Sequence, residues 1–262
     1  MMRLVFSCVC IISLTLSSCN NNDVKTGNTV SEKEKQLRDL ISRYPDSLLL
    51  KENLVQYFRE NGNYGRAITE TEMALKIDSL NARFLDIKAT LHFENGDTIS
   101  AIKSFEKAIS IDPRPEYIMS LASLYAQTKN PMALAMADTL LRAHAANTQI
   151  QALFIKGLYY NFTEDKIKAI PFFDTCIKMD YRYMLAYREK AICLYALNKY
   201  AGALDVLRQA LTVQNSFDEG YYWMGRCYEK LNKRKEAIES YQLALRFDPG
   251  YTEAKDALER MK

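Results

Sequence analysis

The chain has 262 residues, 35 Lys and Arg against 32 Asp and Glu, and a formal charge of +3. That balance lacks the basic excess of a nucleic-acid binder, and no Lys/Arg stripe with interleaved aromatics runs through the sequence. The two histidines, His92 and His144, have no partners at metal-ligand spacing. No cysteine pair is spaced as a zinc site, and no glycine-rich phosphate loop or nucleophile elbow is present. The sequence therefore predicts no cofactor, no metal and no catalysis.

In chain order, Met1-Met2-Arg3 is a short basic start, and Leu4 to Leu16 is apolar but too short to span a bilayer. Small residues follow, as at the end of a secretory signal peptide over 1–18. Leu16-Ser17-Ser18-Cys19 resembles the lipobox of bacterial lipoproteins, which implies lipidation of Cys19 after cleavage. Residues 19–31 are polar and aperiodic and read as a flexible tether; the twelve residues from Asn20 reach at most about 40 Å. The resemblance implies a membrane-anchored protein of the bacterial envelope. Asn20, in place of the aspartate that retains some lipoproteins, points to the outer membrane.

From residue 32 the pattern is helical throughout. Glu32 to Arg43 carries Leu37, Leu40 and Ile41 and reads as a half-unit. Beyond it, Ala67, Ala101, Ala135, Ala169, Ala203 and Ala237 recur every 34 residues. Seven residues later stand Ala74, Ala108, Arg142, Cys176, Ala210 and Ala244. Apolar spacings of three and four make these second helices, closed by phrases such as Ile111-Asp112-Pro113 and Phe247-Asp248-Pro249. Each unit also has a first helix, with Ala89, Gly157, Ala191 and Gly225 letting the two backbones approach. A fixed period of this length predicts an array stabilised by stacking, in units near 48–81, 82–115, 116–149, 150–183, 184–217 and 218–251.

Two units depart from the frame. The third has Arg142 at a small-residue position, and its first helix fits best shifted by one residue, with the extra residue near Asn130-Pro131. This predicts a local irregularity that could be a hinge or simple drift. In the fourth, Pro171 should start the second helix late or kink it. Tyr251, Ala254, Leu258 and Met261 then form the stripe of a terminal capping helix over 252–262. Cys176, Cys193 and Cys227 read as small buried residues; an oxidising compartment leaves pairing between adjacent units open.

The last unit reads Tyr221, Met224, Gly225, Tyr228, Ala237, Tyr241 and Pro249. This is similar to the tetratricopeptide repeat pattern W-x2-L-G-x2-Y…A-x3-F…P, and the resemblance covers about 48–249. It implies an all-α, right-handed superhelix of six helix-turn-helix units with an N-terminal half-repeat and a C-terminal cap.

The resemblance also implies a concave groove lined by first helices. Carried over by position, its residues include Arg83, Phe93, Met119, Phe154, Leu158, Arg188, Tyr195, Tyr222 and Arg226, with Asp86 and Asn161 beside them. The implied function is a non-catalytic scaffold that holds an envelope protein or peptide there. The alternative is a pilotin-like assembly subunit acting through homo-oligomerisation or its convex face.

Overall fold

The computed structural model describes residues 31–142 and 148–261. The signal segment, Cys19, nearly all of the tether and His144 lie outside the described residues. Fourteen α-helices, and no strand, occur among the described residues.

The chain starts with α1 (Glu32–Arg43), capped by the Ser31 side chain, which accepts from the Glu34 backbone N–H. Six helix pairs follow: α2 (Leu48–Glu60) with α3 (Tyr64–Ile77), α4 (Ala82–Glu94) with α5 (Thr98–Ile111), and α6 (Pro115–Gln127) with α7 (Met132–Arg142). The remaining pairs are α8 (Thr148–Phe162) with α9 (Lys166–Met179), α10 (Met184–Ala196) with α11 (Tyr200–Val213), and α12 (Asp218–Lys230) with α13 (Arg234–Phe247). The chain then closes with α14 (Thr252–Arg260). Each second helix packs on its own first helix and on the next one along, so that no pair buries its apolar face alone. The terminal helix buries Ala254 and Ala257 and turns Lys255, Asp256, Glu259 and Arg260 to solvent.

A repeated turn joins the helices of each pair. One residue takes positive φ in all six: Gly62, Gly96, Lys129, Glu164, Asn198 and Asn232. In five of them the next backbone N–H reaches back five residues, as in Asn63 to the Phe58 carbonyl at 2.8 Å and Lys233 to Tyr228 at 2.9 Å. This is the closure of a helix end by a left-handed residue, which satisfies carbonyls the helix leaves free. The third unit's turn has four residues, Thr128–Pro131, where the other five have three.

Large and small residues alternate across each helix pair. A Cβ on Gly225 would lie 2.5 Å from the Tyr241 ring, and one on Gly157 would lie 2.6 Å from the Phe173 ring. At the same positions the fifth unit has Ala191 and Leu207, and the first has Val55 and Thr71. The first helix thus has glycine or alanine where the second carries an aromatic ring, with Ala89 standing opposite Phe105 in the second unit.

The third unit corrects the sequence frame. Five second helices bury residues at the predicted alanine and at four and seven beyond it: 67/71/74, 101/105/108, 169/173/176, 203/207/210 and 237/241/244. In α7 the buried trio is Ala133, Ala137 and Leu140, two residues early, while Ala135 and Arg142 are exposed. The frame would have turned Thr139 and Arg142 inward; the observed face buries only apolar groups. An ion pair carries the same offset. Lys88 meets Glu72 and Lys190 meets Asp174, each sixteen residues back, whereas Lys156 meets Asp138, eighteen back.

Pro171 does not delay its helix. α9 starts at Lys166, in step with the other second helices, and Pro171 sits inside it on the exposed face.

Candidate functional site

The first helices present one face along the array, and side chains on it connect one unit to the next at a constant interval. Arg83 donates to both Glu52 carboxylate oxygens at 2.8 and 2.6 Å, Arg188 donates to Glu219 at 2.8 Å, and Arg226 donates to the Tyr195 hydroxyl at 3.3 Å. All three links span 31 residues, one period less a helical turn.

Apart from Glu34 on α1, which pairs with Arg38 and Arg66, the main buried charge cluster lies on the last three units. The Arg188 side chain is 12% exposed, and it meets Glu189 at 2.9 Å as well as Glu219. Asn161 donates to Glu189 at 2.9 Å, and Lys166 donates to the Asn161 side-chain oxygen at 2.8 Å. Burial alone would lower the Arg188 pKa, but its two carboxylate neighbours outweigh that and hold it above its ordinary value. Burial pushes the Glu219 carboxyl up, against the pull of Arg188. A charged cluster this dry holds because each member has a partner, and it fixes α8, α10 and α12 relative to one another.

Next to it, Arg226 sits in an aromatic enclosure. Its guanidinium carbon is 5.4 Å from the Tyr195 ring centre, 5.5 Å from Trp223 and 5.9 Å from Tyr222. It also donates to the Tyr222 hydroxyl at 3.0 Å. Tyr195 packs edge-on to Trp223, 5.5 Å between centres, and to Tyr200 at 5.3 Å. These rings come from α10, α11 and α12; Tyr195, Tyr222 and Trp223 face the cation, and Tyr200 backs Tyr195.

Several groove residues are not where their positions implied. Phe154 and Leu158 are only 8% and 7% exposed and belong to the core. Phe154 packs against Tyr183 and Phe173 at 5.2 and 5.6 Å. The reason is local: α8 packs against α6 as closely as against α7, and this covers its inner face. Phe93 and Met119 are half-buried against the same cluster. Tyr222 is largely buried, with its hydroxyl on Arg226. Arg83 is exposed but already neutralised by Glu52. Beside it, burial pushes the Asp86 carboxyl up to about 6. Of the predicted set, Arg188, Tyr195, Tyr222 and Arg226 come together; the middle of the predicted groove does not line an open surface.

Sequence reasoning missed Trp223, Glu189 and Glu219. Trp223 is the chain's only tryptophan, next to a predicted groove tyrosine. The two glutamates were visible as acids at the 31-residue interval or adjacent to a groove arginine. Cys176, Cys193 and Cys227 are buried free thiols, pushed up to about 12 by burial. His92 lies 3.4 Å from Asp97 in a turn. Among the described residues, no group of three His, Cys, Asp or Glu could hold a metal, and no helix is long and apolar enough to cross a membrane.

A solenoid of helix pairs with one face built from first helices defines a class of repeat protein. The chain belongs to the tetratricopeptide repeat family: models of that repeat match 82–115 and 150–183, 168–219, and 218–251. Three of these matches coincide with the predicted unit boundaries.

Among curated proteins, the chain is 22% identical to stress-induced-phosphoprotein 1 of Caenorhabditis elegans, over 81% of this chain and 77% of that one. It is 25% identical to human anaphase-promoting complex subunit 7, over 76% of this chain but 35% of that one. It is 23% identical to the Hsp70-Hsp90 organizing protein of Triticum aestivum, over 90% and 42%. The last two relatives are thus matched over less than half their length.

Among solved structures, a tetratricopeptide repeat protein from Parabacteroides merdae superposes with a TM-score of 0.73 at 20% identity, over 87% of this chain and 90% of that one. PilW, a type IV pilus biogenesis factor, superposes with a TM-score of 0.61 at 18% identity, over 80% and 97%. Both share the fold.

Proposed function

We propose that this chain is a non-catalytic scaffold that binds a protein or peptide partner on its first-helix face, centred on the fifth and sixth units. The observation that carries this reading is the cluster of Arg226, Tyr195, Tyr222 and Trp223. Rigid rings around a fixed cation bury area at low entropic cost, as interface hot spots do. The rigid charge cluster beside it holds that surface in place before any partner arrives. The names of the Hsp70-Hsp90 organizing protein and the anaphase-promoting complex subunit point the same way. In this reading Cys19 anchors the array to the bacterial outer membrane and the partner is another envelope protein.

The test is crosslinking and pull-down from native membranes, with the full chain and with a Tyr195→Ala, Arg226→Gln double variant as baits. A partner recovered by the first and lost by the second supports the reading. The same partners with both baits would rule out this face. Labelling with a lipid precursor, and its loss in Cys19→Ala, tests the anchor.

A second reading is an assembly subunit that works through self-association or its outer face. It is favoured by exposed Leu49, Met73, Ile77 and Leu80 near a cleft of about 300 Å³ lined by Ile41, Leu54, Met73 and Ile77. Concentration-dependent oligomers in light scattering would shift the weight to it.

A further inference from the structure

We infer that the Arg226 enclosure is a receptor for one acidic side chain, a glutamate or aspartate inside a partner segment whose neighbouring residues are apolar. The inference rests on the first-helix face being the binding surface and names the chemistry that face recognises.

The argument starts from charge. Four arginines of the described array are half-buried: Arg38, which pairs with Glu34 and Glu70, and Arg59, Arg188 and Arg226. Arg59 pairs with Glu94, and Arg188 with Glu189 and Glu219. Arg226 is the exception; the ion pairs among the described residues give it no carboxylate, only two phenol oxygens. A partly desolvated cation is ordinarily matched by an anion, because neutral acceptors replace only part of the lost hydration. Here the matching anion is not supplied by the array.

The geometry fits an incoming carboxylate. Tyr195 and Tyr222 accept from the two terminal nitrogens of Arg226, so each phenol keeps its own O–H hydrogen to donate. The guanidinium Nε–H is a further donor. The cluster therefore presents donors only, on a cation that three rings hold still. Around them, the faces of Trp223, Tyr195 and Tyr200 offer apolar area for the residues that flank the acid.

One unpaired cation suits one side-chain carboxylate. Arg188, the other buried arginine of these units, is already compensated by two glutamates, and among the described residues Arg226 is the one cation seen over these rings.

The test selects from two peptide libraries against the full chain, one displayed internally with both ends blocked and one with free C-termini. Binding of the selected peptides is read from Trp223, the single tryptophan. The expected result is enrichment from the blocked library of peptides with Glu or Asp at one position between apolar residues. Arg226→Gln should weaken them at least tenfold, Arg226→Lys should weaken them less, and Arg226→Glu should select Lys or Arg at that position instead. Circular dichroism of each variant confirms the fold, and the lysine variant keeps the test valid if the glutamine variant does not fold.

Peptides that quench Trp223 yet show no acidic position, or bind Arg226→Gln equally well, would overturn the inference and leave the binding face standing. Enrichment only from free C-termini would overturn it in favour of a terminal carboxylate. No enrichment from either library would sink both the inference and the face it rests on.

Discussion

Replacing Gly225 with alanine should destabilise the sixth unit, although glycine to alanine inside a helix normally stabilises by about 1 kcal/mol. The new methyl would lie 2.5, 2.7 and 2.8 Å from three Tyr241 ring atoms, where carbon contacts settle near 3.5–4.0 Å. The ring has to move by about 1 Å. Tyr241 is fully buried, with the Tyr222 ring centre 5.8 Å away, so there is little room for it to go. Overpacking at a site this tight costs about 3 kcal/mol, which leaves a net loss of about 2 kcal/mol.

Tyr241→Leu alone opens a cavity and should cost about 3 kcal/mol. The double variant reproduces the fifth unit's Ala191 and Leu207 pairing. It should lose less than the two single changes together, with a coupling of about 2 kcal/mol. An array can unfold unit by unit, so native-state hydrogen exchange on α12 and α13 is the readout, alongside urea unfolding. Additivity within about 0.5 kcal/mol would show that residue size is not matched across the helix pair, and the packing argument would fall.

Other expectations follow from single groups. Tyr187 buries its hydroxyl without a hydrogen-bond partner, so Tyr187→Phe should raise stability by about 1 kcal/mol in urea unfolding. Lys129 holds a φ of 60° in the third unit's turn; Lys129→Gly should gain about 0.5–1 kcal/mol and Lys129→Ala should not. Asp86 is raised from 3.8 to about 6 by burial, with Arg83 opposing. Its folded pKa exceeds its unfolded one, so its contribution is fully present below pH 3.8 and is lost as pH rises through about 6. Asp86→Asn should therefore stabilise the fold at pH 7.5 by about 1–2 kcal/mol, with the advantage gone by pH 4. Equal gains at both pH values would contradict that assignment.

Most of the architecture was legible because the second helices keep step: all six begin 34 residues apart, from Tyr64 to Arg234. What misled was α7. Its Ala133, Ala135 and Ala137 offer a small residue on opposite faces of one helix, and counting residues picked the wrong one. The decision belongs to Leu140, Thr139 and Arg142 further along, where only one face is apolar throughout.

The candidate site was half legible. Positions on the first helices found Arg188, Tyr195, Tyr222 and Arg226 because those helices follow the repeat. Phe154 and Leu158 obey the same positions, but α8 leans on α6, and no single-unit pattern encodes how near two first helices stand. Glu189 and Glu219 went unread because an acid on a helix usually means a solvated face, and here it means a buried partner for Arg188.

The 31-residue links have a bearing on how such a chain can lengthen. A tandem duplication of one whole unit shifts every downstream residue by a full period. Arg188 of a duplicated fifth unit would then face Leu185 of the next copy instead of Glu219, so the link forms again only when the fifth and sixth units are copied together. The array can therefore extend its binding face by copying its fifth and sixth units as a pair. Duplication of the third unit would carry α7's two-residue offset into a second junction, and with it the requirement for a neighbour shaped like α8. The ancestry of the chain should accordingly be written unevenly along it, with gains and losses of units concentrated away from that junction.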